Sequence, residues 1–223
     1  MTKKTVVCWS GGKDCCLALH RLLKEGQNVV CLLAMVAEKD ARNRAHGIPL
    51  EMLKMQADAL EIPLLMVDSG DDYEMALEKA LCQLKDEQGV EAVAFGSLYV
   101  EADRKWNETI AFRSGLEPLF PAWITSDQSS RLLGEFLSLG YRAVVCRASE
   151  KYFNPTWVGR PLDREFFDDI QDADVCVMGE YGEYHTFVLD GPIFRKSVEI
   201  LQSEVVLNSG LWSLDILQCR LVG

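Results

Sequence analysis

The chain has no run of about 18 consecutive apolar residues, the length a helix needs to cross a bilayer, so no transmembrane span is expected. Its first residues lead through Lys3 and Lys4 into a short strand-like stretch, Thr5 to Trp9, with neither the apolar core nor the small-residue cleavage site of a secretory signal. Secretion is therefore not expected. The eight cysteines, at 8, 15, 16, 31, 82, 146, 176 and 219, include no CxxC pair and fall mostly in apolar patterns. Most of them read as reduced packing residues of a cytoplasmic protein. Cys176 and His185 lack two further ligands at usable spacing, which argues against zinc there. Basic residues are scarce: 23 Lys and Arg face 34 Asp and Glu, a net charge of −11. The first 115 residues carry 14 basic and 18 acidic side chains and the remainder 9 and 16, so neither part is a basic domain. Nucleic acid is disfavoured as a partner. Internal repeats, low-complexity tracts and long Gly/Ser/Pro linkers are also missing, so the parts are expected to pack as one unit.

What remains is an ordinary globular composition, 48% hydrophobic, 26% charged and 9% aromatic over 223 residues, enough for one large domain or two small ones. Apolar runs alternate with helix-period segments, the pattern of βα units and a mostly parallel sheet. Strands are expected at Thr5 to Trp9, Val29 to Val36, Pro63 to Val67, Ala92 to Phe95 and Leu116 to Phe120. The helices between them are expected at Asp14 to Lys24, Leu50 to Leu60, Tyr73 to Lys85 and Ala102 to Phe112. Val29 to Val36 is continuously apolar, as a strand covered on both faces must be. Beyond Pro121 one helix and strand follow, Ser129 to Leu139 and Ala143 to Cys146. The rest reads as loops and antiparallel strands, including Tyr152 to Arg160, 179 to 191 and Val198 to Val206. The expected division is 1–122 and 123–223.

The strongest chemical signal is Ser10-Gly11-Gly12-Lys13-Asp14-Cys15, between the first strand and the first helix. Two glycines permit a sharp turn and close approach to a ligand, and a helix N-terminus directs N–H groups and its positive dipole end at an anion. Phosphate or pyrophosphate fits such a turn. The segment is neither GxxxxGK[ST] nor GxGxxG.

It resembles instead the SGGxDS loop of the PP-loop ATP pyrophosphatases. Within that superfamily the chain is most similar to the diphthine–ammonia ligase group. The shared blocks are Gly96-Ser97-Leu98-Tyr99, Leu116-Glu117-Pro118-Leu119-Phe120-Pro121-Ala122-Trp123, Trp157-Val158-Gly159-Arg160 and Gly179-Glu180-Tyr181-Gly182-Glu183-Tyr184-His185-Thr186. Val188 and Asp190-Gly191-Pro192 follow the last. One departure is Cys15, where the family usually has Ser; a thiol is a weaker donor of similar size.

The resemblance implies an α/β fold with a PP-loop, HUP-like and Rossmann-like parallel sheet of strand order 3-2-1-4-5 and a smaller α+β C-terminal domain. Residues 1–122 would bind ATP and 123–223 the acceptor, with the acceptor between the halves. The implied chemistry is attack on the α-phosphorus of ATP, with AMP joined to the acceptor and pyrophosphate left in the loop. Ser10, Gly11, Gly12 and the Cys15 amide would form the pyrophosphate cradle. Lys13 would neutralise charge there or point away, and Asp14 would hold Mg²⁺ or orient the loop. The backbone of Ala34 and Met35 would face adenine, and Gly96 and Ser97 the ribose or α-phosphate.

Several side chains carry two readings. Arg104 would stabilise charge on the α-phosphate, yet its spacing from Asp103 and Glu108 equally suits ion pairs on a helix surface. His46 would contact nucleotide or acceptor, or lie idle in a surface loop. Glu180, Glu183, Tyr184 and His185 would bind a cationic acceptor group, such as the trimethylammonio group of diphthine, or hold ammonia and take its proton. The alternative is a tight turn with solvated glutamates. His20 reads as structural, and Trp123, Trp157 and Trp212 as cleft or interdomain packing.

The expected function is an AMP-forming amide ligase that adenylates a carboxylate and amidates it with ammonia. The acceptor would be diphthine on elongation factor 2 if the host makes it. The sequence shows no glutaminase domain, so free ammonia is the simplest expected nitrogen donor. The alternatives are adenylation or thiolation of another acceptor, for which Cys15-Cys16 is the hint, and a weakly active adenine-nucleotide-binding protein. ATP, Mg²⁺, ammonia and a carboxylate acceptor are the expected partners, a homodimer is an open possibility, and no membrane is expected.

Overall fold

The computed structural model describes residues 2–37, 42–43 and 46–223. In chain order the elements are β1 (Lys4–Cys8), α1 (Lys13–Lys24), β2 (Asn28–Ala37), β3 (Arg42–Asn43), α2 (Leu50–Leu60), β4 (Leu64–Asp68), α3 (Tyr73–Gln88), β5 (Ala92–Ala94), α4 (Glu101–Arg113) and β6 (Glu117–Leu119). Then follow α5 (Ser129–Ser138), β7 (Arg142–Ser149), α6 (Arg164–Asp172), β8 (Tyr184–Asp190), β9 (Ser197–Asn208) and β10 (Leu211–Val222). None of the helices among the described residues is long and apolar enough to cross a membrane.

Two compact units emerge. The first comprises Met1–Ser10, Asp14–Arg44 and Ile62–Ile124; the second comprises Gly11–Lys13, Ala45–Glu61 and Thr125–Gly223.

In the first unit, β4, β2, β1, β5 and β6 lie side by side, all parallel, which is the 3-2-1-4-5 order of the parallel strands. The two-residue β3 adds antiparallel to the end of β2, pairing Val36 with Asn43. Cys31 to Val36 are all buried, as the unbroken apolar run of β2 requires. Alternate residues Cys31, Leu33 and Met35 share a core with Leu77, Leu81 and Leu84 of α3 and Ile110 and Ala111 of α4. α3 starts where the Asp72 carboxylate accepts the Met75 N–H at 2.9 Å, and stops at Gly89 in the left-handed region.

The second unit is built on an antiparallel sheet of order β8-β7-β10-β9. β9 and β10 form a long hairpin whose register slips near Gln218, and this interruption hides the strand period of β10 from sequence reading. α6, absent from the sequence reading, is charge-rich and short; the Asp163 carboxylate caps it by accepting the Phe166 N–H at 2.9 Å, and it buries only Phe166 and Ile170. α2 packs its apolar stripe of Met52, Leu53, Ala57 and Leu60 inward, with one polar exception, Gln56.

Candidate active site

In the first unit the β1–α1 turn brings Ser10 and Cys15 together: the Ser10 hydroxyl donates to the Cys15 sulfur at 3.4 Å. Burial raises the Cys15 thiol, but hydrogen bonds from Cys16 and Ser10 outweigh it and hold the group below its ordinary value. Cys16 is driven the opposite way by burial, so Cys15 is the sulfur of the pair that favours the thiolate. The backbone after β5 reaches the same place. A Cβ on Gly96 would lie 2.8 Å from the Cys15 nitrogen, so only glycine permits this approach to the start of α1.

The neighbouring Ser97 hydroxyl accepts from Asn107 Nδ2 at 3.0 Å. Ala34 and Met35 sit within β2, paired with Met66 and Val67, and the Met35 carbonyl accepts from Asn43 Nδ2 at 3.3 Å. Arg104 donates to Glu108 at 2.8 Å, the ion pair its spacing suggested, while its guanidinium lies over the rings of Phe120 and Trp123 at 5.0 and 4.8 Å. The Leu116–Trp123 block thus supplies an aromatic clamp for this arginine.

In the second unit Gly11, Gly12 and Lys13 meet β8. The Gly11 carbonyl accepts from the Val188 N–H at 3.0 Å, and the Lys13 N–H donates to Thr186 Oγ1 at 3.1 Å. A Cβ on Gly12 would collide with His46 and lie 3.1 Å from the Thr186 carbonyl oxygen, so packing against the protein is one reason for glycine there. Lys13 is 2% exposed; its ammonium donates to the Met178 carbonyl at 2.6 Å and lies over the Tyr184 ring at 5.1 Å. That ring stacks edge-on against Phe166 at 5.5 Å, Phe166 against Trp157 at 5.7 Å, and Arg160 covers Trp157 at 4.7 Å. Trp157-Val158-Gly159-Arg160 and Tyr184 therefore belong to one aromatic support beneath Lys13. Sequence separation hides this arrangement.

The Gly179–Thr186 segment is a tight turn running into β8. Glu183 is 4% exposed and turned inward: one carboxylate oxygen accepts the Cys176 N–H at 3.0 Å and the other the Tyr181 N–H at 2.9 Å. It holds the turn together. Glu180 is half-buried in the same turn. Tyr184 donates its hydroxyl to the Val177 carbonyl at 2.6 Å.

His185 faces another ring, His46, with centroids 4.8 Å apart. The His46 Nδ1 is 2.9 Å from the Thr186 carbonyl, which only accepts, so this nitrogen carries the proton when the ring is neutral. Burial lowers His46 from an ordinary value near 6.5 to about 4, opposed by the Thr186 carbonyl and aided by the charges of Lys13 and Arg147. Burial also holds His185 well below its ordinary value, with His46, Lys13 and Arg147 acting in the same direction. Both rings are neutral at pH 7.

The unfolded chain takes up a proton at His46 before the folded chain does. Stability is thus full above pH 6.5 and declines as the pH falls toward about 4, by up to about 3 kcal/mol. Urea midpoints of the wild type and His46→Gln at pH 7 and pH 5 check this. The wild type should lose more on acidification, and an equal loss in both would remove His46 as the cause.

Among the described residues no group of three or more His, Cys, Asp or Glu side chains converges as a metal cage. Asp14 stands in the first turn of α1, and a lone carboxylate suits a Mg²⁺ ion that takes its other ligands from phosphate and water. Gly11 takes φ +83°, which glycine tolerates, and the start of α1 presents the positive end of a helix, which favours an anion.

A family model described as the diphthamide synthase N-terminal domain matches residues 3–118, and one described as its C-terminal domain matches 128–220. The chain is 28% identical to the diphthine–ammonia ligase of Bos taurus over 90% of its own length and 84% of that protein. The Homo sapiens diphthine–ammonia ligase is 27% identical with the same coverage. That of Schizosaccharomyces pombe is 26% identical over 90% of this chain but 36% of its own, longer sequence. With a parallel sheet of the expected order, the loop at its first βα turn and both domain models matched, the chain belongs to the diphthamide synthase family.

Proposed function

We propose that the protein is an ATP-dependent ligase that joins ammonia to a carboxylate, releasing AMP and pyrophosphate, with diphthine as the acceptor where the host makes it. The observation that carries this reading is the Ser10–Cys15 turn, set between a parallel strand and a helix N-terminus in a chain matched by both diphthamide synthase domains.

The β and γ phosphates of ATP rest on the backbone of residues 10 to 15, with α1 contributing its positive end. Asp14 would hold Mg²⁺, which when bound would supply charge neutralisation on the phosphates. The backbones of Ala34 and Met35 receive adenine, Gly96 and Ser97 the ribose, and Arg104 offsets charge at the α-phosphate. An acceptor carboxylate oxygen attacks the α-phosphorus as the bond to the bridging oxygen breaks and pyrophosphate departs. Ammonia then attacks the acyl carbon, AMP leaves, and the surplus ammonia proton goes to a base.

His185 is assigned that last role because its ring is neutral at pH 7 and so can accept a proton, although burial weakens it as a base. His46 supports its ring, Glu183 holds the turn that presents it, and Glu180 and Tyr184 flank the acceptor.

Product analysis tests the reading. Incubation with ATP, Mg²⁺, ammonia and diphthine-bearing elongation factor 2 should yield AMP and pyrophosphate in equal amounts, dependent on the acceptor. Release of ADP and phosphate would overturn the assignment.

A further inference from the structure

β8 is an edge strand, and an edge strand leaves a row of backbone groups that must find partners. Here the partners are specific. The Val188 N–H donates to the Gly11 carbonyl at 3.0 Å, and the Val188 carbonyl accepts from Gln56 Nε2 at 2.7 Å. Gln56 Nε2 donates a second bond, to the Gly11 carbonyl, at 3.0 Å. Two residues earlier on β8, the Thr186 carbonyl meets His46 Nδ1 and the Thr186 hydroxyl accepts the Lys13 N–H.

Gln56 is fully buried in the otherwise apolar stripe of α2, where an amide is costly unless both its donors are used. Both atoms it faces are carbonyl oxygens, so its nitrogen must point at them. It therefore ties Gly11 and Val188 to each other, from a helix that is neither the loop nor the sheet.

We infer that Gln56 is a positioning residue for the phosphate loop: by locking the Gly11 carbonyl onto the edge of β8, its side-chain amide sets the orientation of the Gly11–Gly12 peptide in the loop that holds the phosphates of ATP. The carbonyl and the following N–H of a trans peptide point in opposite directions, and the described residues contain no cis peptide. Fixing the Gly11 carbonyl with two donors thus fixes Gly12 N–H. The Lys13 N–H is spent on Thr186, so the loop's geometry depends on β8 at two points. His185 lies on the same strand. This inference rests on the reading of residues 10 to 15 as the ATP phosphate site.

The test compares wild type, Gln56→Glu and Gln56→Met by calorimetry with ATP and with adenosine, alongside thermal melts. Both variants should bind ATP about tenfold more weakly or worse, with adenosine affinity unchanged, because loss of the fixed loop removes phosphate contacts only. Relative to wild type, Gln56→Glu should regain part of its ATP affinity between pH 8 and pH 6. A protonated carboxyl can donate to one carbonyl, whereas an ionised one repels both. Gln56→Met should show no such recovery.

A structural role alone would leave Met, of similar volume, equal to wild type toward ATP, and that result overturns the inference. If neither variant melts cooperatively, hydrogen exchange on the wild type decides: ATP should slow exchange at Val188, and an unchanged Val188 amide overturns the inference. A wild-type protein that binds no ATP removes the reading beneath it, and this proposal falls too; wild-type binding with fully competent variants sinks the Gln56 role alone.

Discussion

Asp14→Asn should reduce AMP release about 100-fold or more while leaving the protein folded. Asparagine keeps the shape of the side chain in the first turn of α1 and removes only its charge. The helix-dipole share of the stability cost is about 0.3–1 kcal/mol, and a thermal melt of the variant separates lost turnover from unfolding. The loss in rate follows from the proposed charge balance. Asp14 would help hold a Mg²⁺ ion that would offset charge on the departing pyrophosphate, and a neutral amide is a poor ligand for a hard cation. Turnover measured against Mg²⁺ concentration should therefore show a raised requirement for the ion as well as a lower maximum. Wild-type rates at all Mg²⁺ concentrations would detach Asp14 from the chemistry and leave it as a helix-start residue.

The parts of this molecule that the sequence discloses are those governed by local pattern. β2 is recognisable because a strand buried on both faces must be apolar throughout, and the Ser10–Cys15 turn because glycines and a helix start coincide within six residues. α6 and β10 escape the same reading for physical reasons. Five charged residues among the nine of α6, Arg164, Glu165, Asp168, Asp169 and Asp172, mask the Phe166 and Ile170 stripe, and a slipped register breaks the alternation of β10. What sequence cannot show is the use to which long-range contacts put a residue. Lys13 reads from the sequence either as a charge-neutralising residue of the loop or as one that points away, and only the fold shows its ammonium donating to Met178, 165 residues on. Gln56 did leave a trace, a polar residue among Met52, Leu53 and Leu60 at helical spacing, and such an exception in an apolar stripe marks a buried hydrogen-bonding task.

His185→Ala and Glu183→Gln should fail in different ways, although the two side chains are only two positions apart. Glu183 spends both carboxylate oxygens on the Cys176 and Tyr181 amides, and glutamine can accept at only one of those positions while its NH₂ faces a second donor. Glu183→Gln should therefore lose about 1–3 kcal/mol of stability, read as a lowered urea midpoint, and activity should fall with the ordering of the turn. The imidazole of His185 instead rests against His46, where burial and nearby cations keep it neutral. A neutral imidazole can take the ammonia proton, and its removal should lower acceptor-dependent AMP release about 100-fold. ATP affinity and the urea midpoint should stay near wild type, because the loop is tied to Thr186 and Val188, which remain. Weaker ATP binding in His185→Ala would move this side chain to the nucleotide, and unchanged turnover would reduce the histidine pair to packing.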